Sequence, residues 1–257
     1  MYIYSQLLDH PLALDARIAI YRREAAGYRI PHWGSHTYAA QYVSRWRMKN
    51  GEEILFRPIR PEDEPLMVEF HKTLSEQSVY LRYRRPESLR TRIAHERLIR
   101  RCCIDSSEGM ALVAVLTDPD TGQHEILAIG RLSNMPTGRK AEMAVLVSDS
   151  YQRLGLGTEL VRRLIQVARD EDMEEIIANF LPENFGMRAL ANRFGFQLRT
   201  SSDPTALTAV LNLTDADARD ITRRYAGRHL RVNGVFPARQ EAPANAKSLA
   251  APMPQAH

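Results

Sequence analysis

A short apolar run, a serine-rich break, two glycines and an amphipathic helix follow one another in this chain and limit what it can fold into. The stretch is Ala141-Glu-Met-Ala-Val-Leu-Val-Ser-Asp-Ser-Tyr-Gln-Arg-Leu-Gly-Leu-Gly-Thr158. Residues 143–147 have the length and apolarity of a strand. Ser148-Asp149-Ser150 breaks it. From Thr158 on, Leu160, Val161, Leu164, Ile165 and Ala168 recur at helical spacing, with arginines mostly between them. Gly155 and Gly157 stand at the junction, where a missing Cβ lets the backbone approach a ligand. The first N–H groups of a helix lack internal partners and carry partial positive charge. Strand, glycine loop and helix in this order can therefore hold an anion. The same spacing also suits a tight turn without a ligand.

The kind of anion can be narrowed. A dinucleotide fingerprint needs a third glycine where Leu160 stands, and a P-loop needs Gly-Lys followed by Ser or Thr. Neither is present. What remains, Gln152-x-x-Gly155-x-Gly157, resembles the pyrophosphate-binding motif of the GNAT superfamily of acetyl-CoA-dependent N-acyltransferases. Residues 175–181 follow as a second strand candidate. Pro182-Glu-Asn184 then opens a short helix, 187–194, with Gly195 placed as its C-terminal cap. Asn184 followed ten residues later by aromatic-Gly-Phe also resembles the GNAT pattern, in which the asparagine faces the cofactor.

The resemblance implies a GNAT fold of the α/β (α+β) class: a mixed central sheet, splayed at the acetyl-CoA site, with flanking helices. The order of elements agrees. A strand at 53–59 is followed by a helix opened by Pro61-Glu-Asp-Glu-Pro65, with its acids at the positive helix end. Residues 75–83 are a linker or helix, and 89–101 a strongly basic helix. The runs 111–116 and 125–130 flank the turn signal Asp118-Pro-Asp-Thr-Gly122 and read as a hairpin. The Glu142 strand, the glycine loop and two final strands, 197–200 and 206–213, complete it.

Around this domain, 51–213, we expect an N-terminal extension at 1–50, with a helix at 15–26 and a loop at 30–35. We also expect a C-terminal helix at 214–231 and a disordered Ala/Pro-rich tail at 232–257. No apolar run approaches the ~20 residues of a membrane span, and the first twenty residues lack a signal-peptide core. Cys102 and Cys103 are adjacent and suggest no disulfide framework. These features suit a bacterial cytoplasmic enzyme. The formal net charge of +4 over 257 residues does not point to nucleic acid. The eight histidines do not cluster, and no metal site is expected.

Within the superfamily, Arg57-Pro-Ile-Arg-Pro-Glu-Asp-Glu-Pro65, Leu74-Ser-Glu-Gln-Ser-Val-Tyr-Leu-Arg82 and Ala141-Glu-Met-Ala-Val resemble the acetyltransferase domain of Pat-type bacterial protein lysine acetyltransferases. Tyr42-Val-Ser-Arg-Trp-Arg-Met-Lys-Asn-Gly resembles the join to the large synthetase-like part of such enzymes. No stretch of this chain resembles that part or a nucleotide-sensing domain. The resemblance covers roughly residues 40–200. It implies acetyl-CoA as co-substrate and a protein lysine as acceptor. Two alternatives stay open: a small-molecule amine as acceptor, or a non-catalytic acyl-CoA-binding sensor.

Acyl transfer needs the neutral amine, and a lysine is neutral in about one molecule in 2,500 at pH 7. A glutamate raised toward neutrality by apolar neighbours suits the task of base. Glu142 sits in an apolar strand and shares a face with Ala144 and Leu146. The resemblance gives it the role of base; a structural pairing with Arg139 or Arg131 is the other reading. By the same resemblance, the backbone of Val145, Leu146 and Val147 takes the pantetheine arm. The residues Gln152, Arg153, Leu154, Gly155, Leu156, Gly157 and Thr158 take the pyrophosphate, and Asn184 faces the cofactor. Where many GNAT enzymes place a tyrosine that protonates the leaving thiolate, this chain has Phe194; Tyr80, Tyr83 and Tyr151 are the alternatives. The arginine run 82–101 reads as a solvated face paired to Glu87 and Glu96, or as a dock for an acidic protein surface.

Overall fold

Apolar runs and alternating stretches build, among the described residues, one eight-stranded sheet in the order β1-β2-β3-β4-β5-β6-β8-β7. The structure is a computed structural model and describes residues 40–102, 108–136, 139–200, 203 and 205–214. The helix expected at 15–26, the loop at 30–35, Cys103, the C-terminal helix and the tail lie outside these residues. The strands are β1 Ser44–Arg47, β2 Glu53–Pro58, β3 Gly109–Thr117, β4 His124–Asn134, β5 Lys140–Val147, β6 Glu175–Phe180, β7 Gln197–Thr200 and β8 Leu207–Asn212. The helices are α1 Glu64–Lys72, α2 Glu76–Tyr83, α3 Leu89–Arg92, α4 His95–Cys102, α5 Leu156–Asp170 and α6 Phe185–Arg193. All neighbouring strands pair antiparallel except β5 with β6, which is parallel.

Two details differ from the sequence reading. Residues 40–50, counted with the extension, enter the sheet: β1 pairs with β2, and Tyr42 and Met48 are buried in the core. The basic segment 89–101 is two helices, because the chain breaks at Ile93 and Ala94 before α4 begins.

The sheet separates two apolar layers. Behind it, α5 buries Leu156, Leu160, Val161, Leu164, Ile165 and Ala168 against Ala141, Met143, Ile176 and Ala178. In front, α1, α2 and α4 bring Met67, Phe70, Val79 and Leu98 against Val113, Ile126 and Leu146. Residues of β5 thus alternate, odd numbers backward and even numbers forward. Full burial of a leucine is worth roughly 1.5–3 kcal/mol, so α5 is held mainly by its apolar stripe. A buried two-pronged pair, Arg57 to Asp63 at 2.6 Å on both arms, ties the end of β2 to the start of α1.

Helix α6 ends as its sequence suggests. Gly195 adopts φ +76°, and the Phe196 N–H donates to the Ala191 carbonyl at 2.9 Å, closing the turn and burying Phe196.

Candidate functional site

Strand β5 is bonded to β4 along its length, from Asn134↔Ala141 to Ala128↔Val147. Its pairing with β6 covers three residues, Lys140↔Glu175, Ala141↔Ile176 and Glu142↔Ile177, and then stops. Beyond Glu142 the two strands part. Among the described residues no strand pairs with the β6-facing backbone of 143–147, although the Val147 carbonyl accepts from Gln152 Nε2. The side chains of Val145 and Val147 pack on the back layer and Leu146 on the front layer. What these residues offer a ligand is therefore their backbone edge, and an extended amide-bearing chain would fit it as an added strand.

At the open end of the fork stands the glycine loop. Gly155 is the N-terminal cap of α5 at φ +100°, and no side chain caps the helix. A Cβ on Gly155 would lie 3.3 Å from the Trp46 ring. The first helical bond is from the Glu159 N–H to the Gly155 carbonyl, at 3.0 Å. The N–H groups of Leu156, Gly157 and Thr158 precede it and point out of the helix end. The Leu156 side chain is fully buried and that of Leu154 packs on the back layer, so both address a ligand through backbone. Arg153 is exposed and held at φ +62°. Glu159, in the first turn, is neutralised by Arg162 and Arg163, each at 2.7 Å. This end keeps its positive character and fits a pyrophosphate.

Gln152 faces inward rather than only toward a ligand: its Nε2 donates to Ser78 Oγ at 3.1 Å and to the Val147 carbonyl at 3.3 Å. Asp149 accepts from the Ser75 N–H at 2.9 Å, Ser75 Oγ at 2.7 Å and Ser78 Oγ at 2.9 Å. Burial alone would raise the Asp149 carboxyl; the serine donors outweigh it and hold it below its ordinary value. These contacts fasten α2 beside β5 and its loop. Asn184 caps α6, its Oδ1 accepting from the Met187 N–H at 3.0 Å, which leaves its Nδ2 free of that duty.

Glu142 is the last residue of β5 paired with β6. The apolar surroundings expected for it are not there: its side chain is exposed. Neither arginine considered as a partner takes it. Arg139 pairs with Glu174 at 3.2 Å, and Arg131 donates to the Arg101 carbonyl at 2.7 Å. Instead Asn179 Nδ2 donates to Glu142 Oε1 at 3.2 Å, and the Thr208 hydroxyl donates to Asn179 Oδ1 at 2.8 Å. This chain of bonds across β8, β6 and β5 orients the carboxylate. The sequence signal for it was a polar residue, Asn179, inside a strand that is apolar from Ile176 to Ala178.

Of the three tyrosines named from the sequence, Tyr151 packs on the back layer, near Glu52 and Glu125, and so away from Glu142. Tyr83 lies between Arg82 and Arg97, whose guanidinium carbons are 5.3 Å and 5.2 Å from its ring centre. Phe194 is buried and carries no proton to give. In the arginine run, Glu87 does take Arg97, with two bonds of 2.7 and 2.8 Å. Glu96 offers its backbone carbonyl to Arg100 instead. Among the described residues no group of His, Cys, Asp and Glu is placed to hold a metal ion, and no helix is long and apolar enough to cross a membrane.

Comparison with known proteins adds to this geometry. Residues 53–197 match the family model described as acetyltransferase (GNAT) domain. Acetyltransferase PA5475 of Pseudomonas aeruginosa is 28% identical over 180 residues, which cover 69% of this chain and 93% of that protein. Among solved structures, the GNAT domain of S. lividans PAT has a TM-score of 0.60 at 23% identity, over 68% of this chain and 98% of that one. RimJ of Mycobacterium smegmatis, in complex with CoA-disulfide, has a TM-score of 0.53 at 18% identity, over 72% and 94%. At such identities the structural likeness speaks for the fold.

Proposed function

This chain belongs to the GNAT acetyltransferase family, and on that premise we propose that it acetylates the side-chain amine of protein lysines from acetyl-CoA, with Glu142 as general base. The observation that carries the proposal is the fork: an unpaired strand edge, 143–147, begins at the residue after an exposed, oriented carboxylate. A thioester lying along that edge would present its carbonyl beside Glu142. The backbone of Val145, Leu146 and Val147 takes the pantetheine amides. The N–H groups at the start of α5, with Arg153 at their rim, take the pyrophosphate, and Asn184 Nδ2 faces the cofactor from the β6 side.

Glu142 accepts a proton from the lysine ammonium, directly or through one water. The freed amine nitrogen bonds to the thioester carbon, the bond from that carbon to sulfur breaks, and the second amine proton passes to the departing thiolate, directly or through water. Backbone N–H groups of the splayed edge stabilise the negative charge gathering on the carbonyl oxygen. Tyr151 is turned away, so the thiolate leaves without help from that side chain. The lysine acceptor is supported by the resemblance of residues 57–65, 74–82 and 141–145 to Pat-type enzymes and by the exposure of Glu142 and Asn179.

The test is thiol release with lysine peptides and with polyamines, alongside acetyl-CoA titration calorimetry, for the wild type and Glu142→Gln. The expected result is binding in both proteins and turnover of peptides in the wild type alone. Turnover of polyamines but not peptides would replace the acceptor. Binding without any turnover would leave a sensor module.

A further inference from the structure

In front of Glu142 the sheet carries charge that the reaction so far does not use. Arg131 of β4 stands opposite Ala144 of β5, and Ser133 opposite Glu142. Residues directly opposite in an antiparallel pair share a face, so Arg131 lies on the Glu142 side of the sheet, one pair removed from it. Arg82 reaches the same place from α2, which packs on β5 and is fastened there by the Asp149 contacts. Arg101 arrives from the last turn of α4, and its carbonyl holds the Arg131 guanidinium.

The three arginines crowd one another. Burial, then the fields of Arg101 and Arg82, push Arg131 down to about 10, with Cys102 and Glu108 opposing. Burial also lowers Arg82; Tyr83 and Glu142 oppose the shift, and Arg101 and Arg97 add to it. Among the described residues no carboxylate forms an ion pair with Arg82, Arg101 or Arg131. Arg82 donates no hydrogen bond to a protein acceptor and is half-buried, with its guanidinium over the Tyr83 ring. Clustered, partly buried cations that only Glu142 and Glu108 offset, and from a distance, are costly and favour a bound anion. A guanidinium fork is shaped for a carboxylate.

We propose that Arg82 and Arg131, backed by Arg101, bind an aspartate or glutamate side chain next to the acceptor lysine, so that the enzyme selects lysines in acidic sequence. The proposal rests on the lysine reading above and specifies it. It also fits the chemistry. Three positive charges against the two negative charges of Glu142 and Glu108 leave a positive local field, which favours the neutral amine over the ammonium.

The test compares kcat/KM for matched peptides with Asp or Ala beside the lysine, in the wild type, Arg82→Gln, Arg131→Gln and Arg82→Lys. The quantity read is the acidic-to-neutral ratio within each protein, which a general loss of folding or rate does not move. A wild-type ratio of about tenfold or more is expected, as one charge-assisted contact would give. It should fall toward one in either glutamine variant, partly in Arg82→Lys, and in the wild type as salt rises. A wild-type ratio near one overturns the proposal and leaves the lysine reading standing. A ratio that survives both glutamine variants overturns it too. If peptides fail altogether while free amino carboxylates react and lose that reaction in Arg82→Gln, the lysine reading falls and the anion site stands.

Discussion

At the loop end of the fork, a ligand would meet backbone from one continuous stretch, residues 153–158. At the Glu142 end it would meet side chains gathered from β4, β5, β6, β8, α2 and α4. The loop end is set by dihedral angles, and most substitutions there change little provided the turn survives. The Glu142 end is set by a few bonds between distant segments, and single substitutions can rewrite it. A chain built this way can keep one co-substrate while its acceptor changes.

The sharpest way to break that contrast is at Glu142. Removing a general base costs about 10²–10⁴-fold in rate. Glu142→Gln should lose kcat on that scale while acetyl-CoA affinity, read by calorimetry, stays as it was. A parallel fall in affinity would mean that the two ends are not separable.

The next effect lies behind the acceptor side. His71 of α1 is buried; burial, then the fields of Arg92, Arg97 and Arg101, bring it down from 6.5 to about 4, with Glu87 opposing. The unfolded chain therefore takes up the proton first as pH falls. Stability from this residue is complete above about pH 6.5 and is lost as pH drops toward about 4, by about 3 kcal/mol in all. Urea titrations across this window should show His71→Leu with a shallower pH dependence than the wild type. Equal slopes would remove His71 as the cause.

The two glycines sharpen the contrast within the loop end. Gly155→Ala forces a Cβ onto φ +100°, 3.3 Å from Trp46, and should cost about 1–2 kcal/mol of stability. Gly157 has no such angle, and its Cβ would meet nothing nearer than 3.6 Å. Gly157→Ala should keep or raise stability, by up to about 1 kcal/mol, yet weaken acetyl-CoA by about tenfold because the Cβ crowds the pyrophosphate. Denaturation and calorimetry on the two variants read both quantities.

The smallest effect is at Asn179. One hydrogen bond of about 1 kcal/mol orients Glu142, so Asn179→Ala should lower kcat by about fivefold and leave KM for acetyl-CoA in place. A change in KM instead would assign Asn179 to the cofactor.

The loop end was readable in the chain because its parts are neighbours there. Gly155 and Gly157 lie within one turn of the start of α5, whose apolar stripe follows at once, and Gly195 marks the end of α6 directly. The strands from residue 53 onward followed from apolar runs and turn signals in the same way, whereas β1, counted with the extension, did not. The Glu142 end was readable only in its centre. Glu142 stood out in its strand, but its exposure, its bond to Asn179 and its distance from Arg139 depend on where β5 and β6 part. Asp149 gave no sign that it would collect Ser75 and Ser78, more than seventy residues earlier in the chain.

The sequence by itself determined the strands from residue 53 onward, the helix stripe and the glycine turn, since periodicity and glycine dihedral freedom act over a few residues. Tertiary structure alone decided which groups flank Glu142 and that three arginines share its face. Strand register and helix docking, which bring together residues far apart in the chain, set those contacts, and no local pattern encodes them.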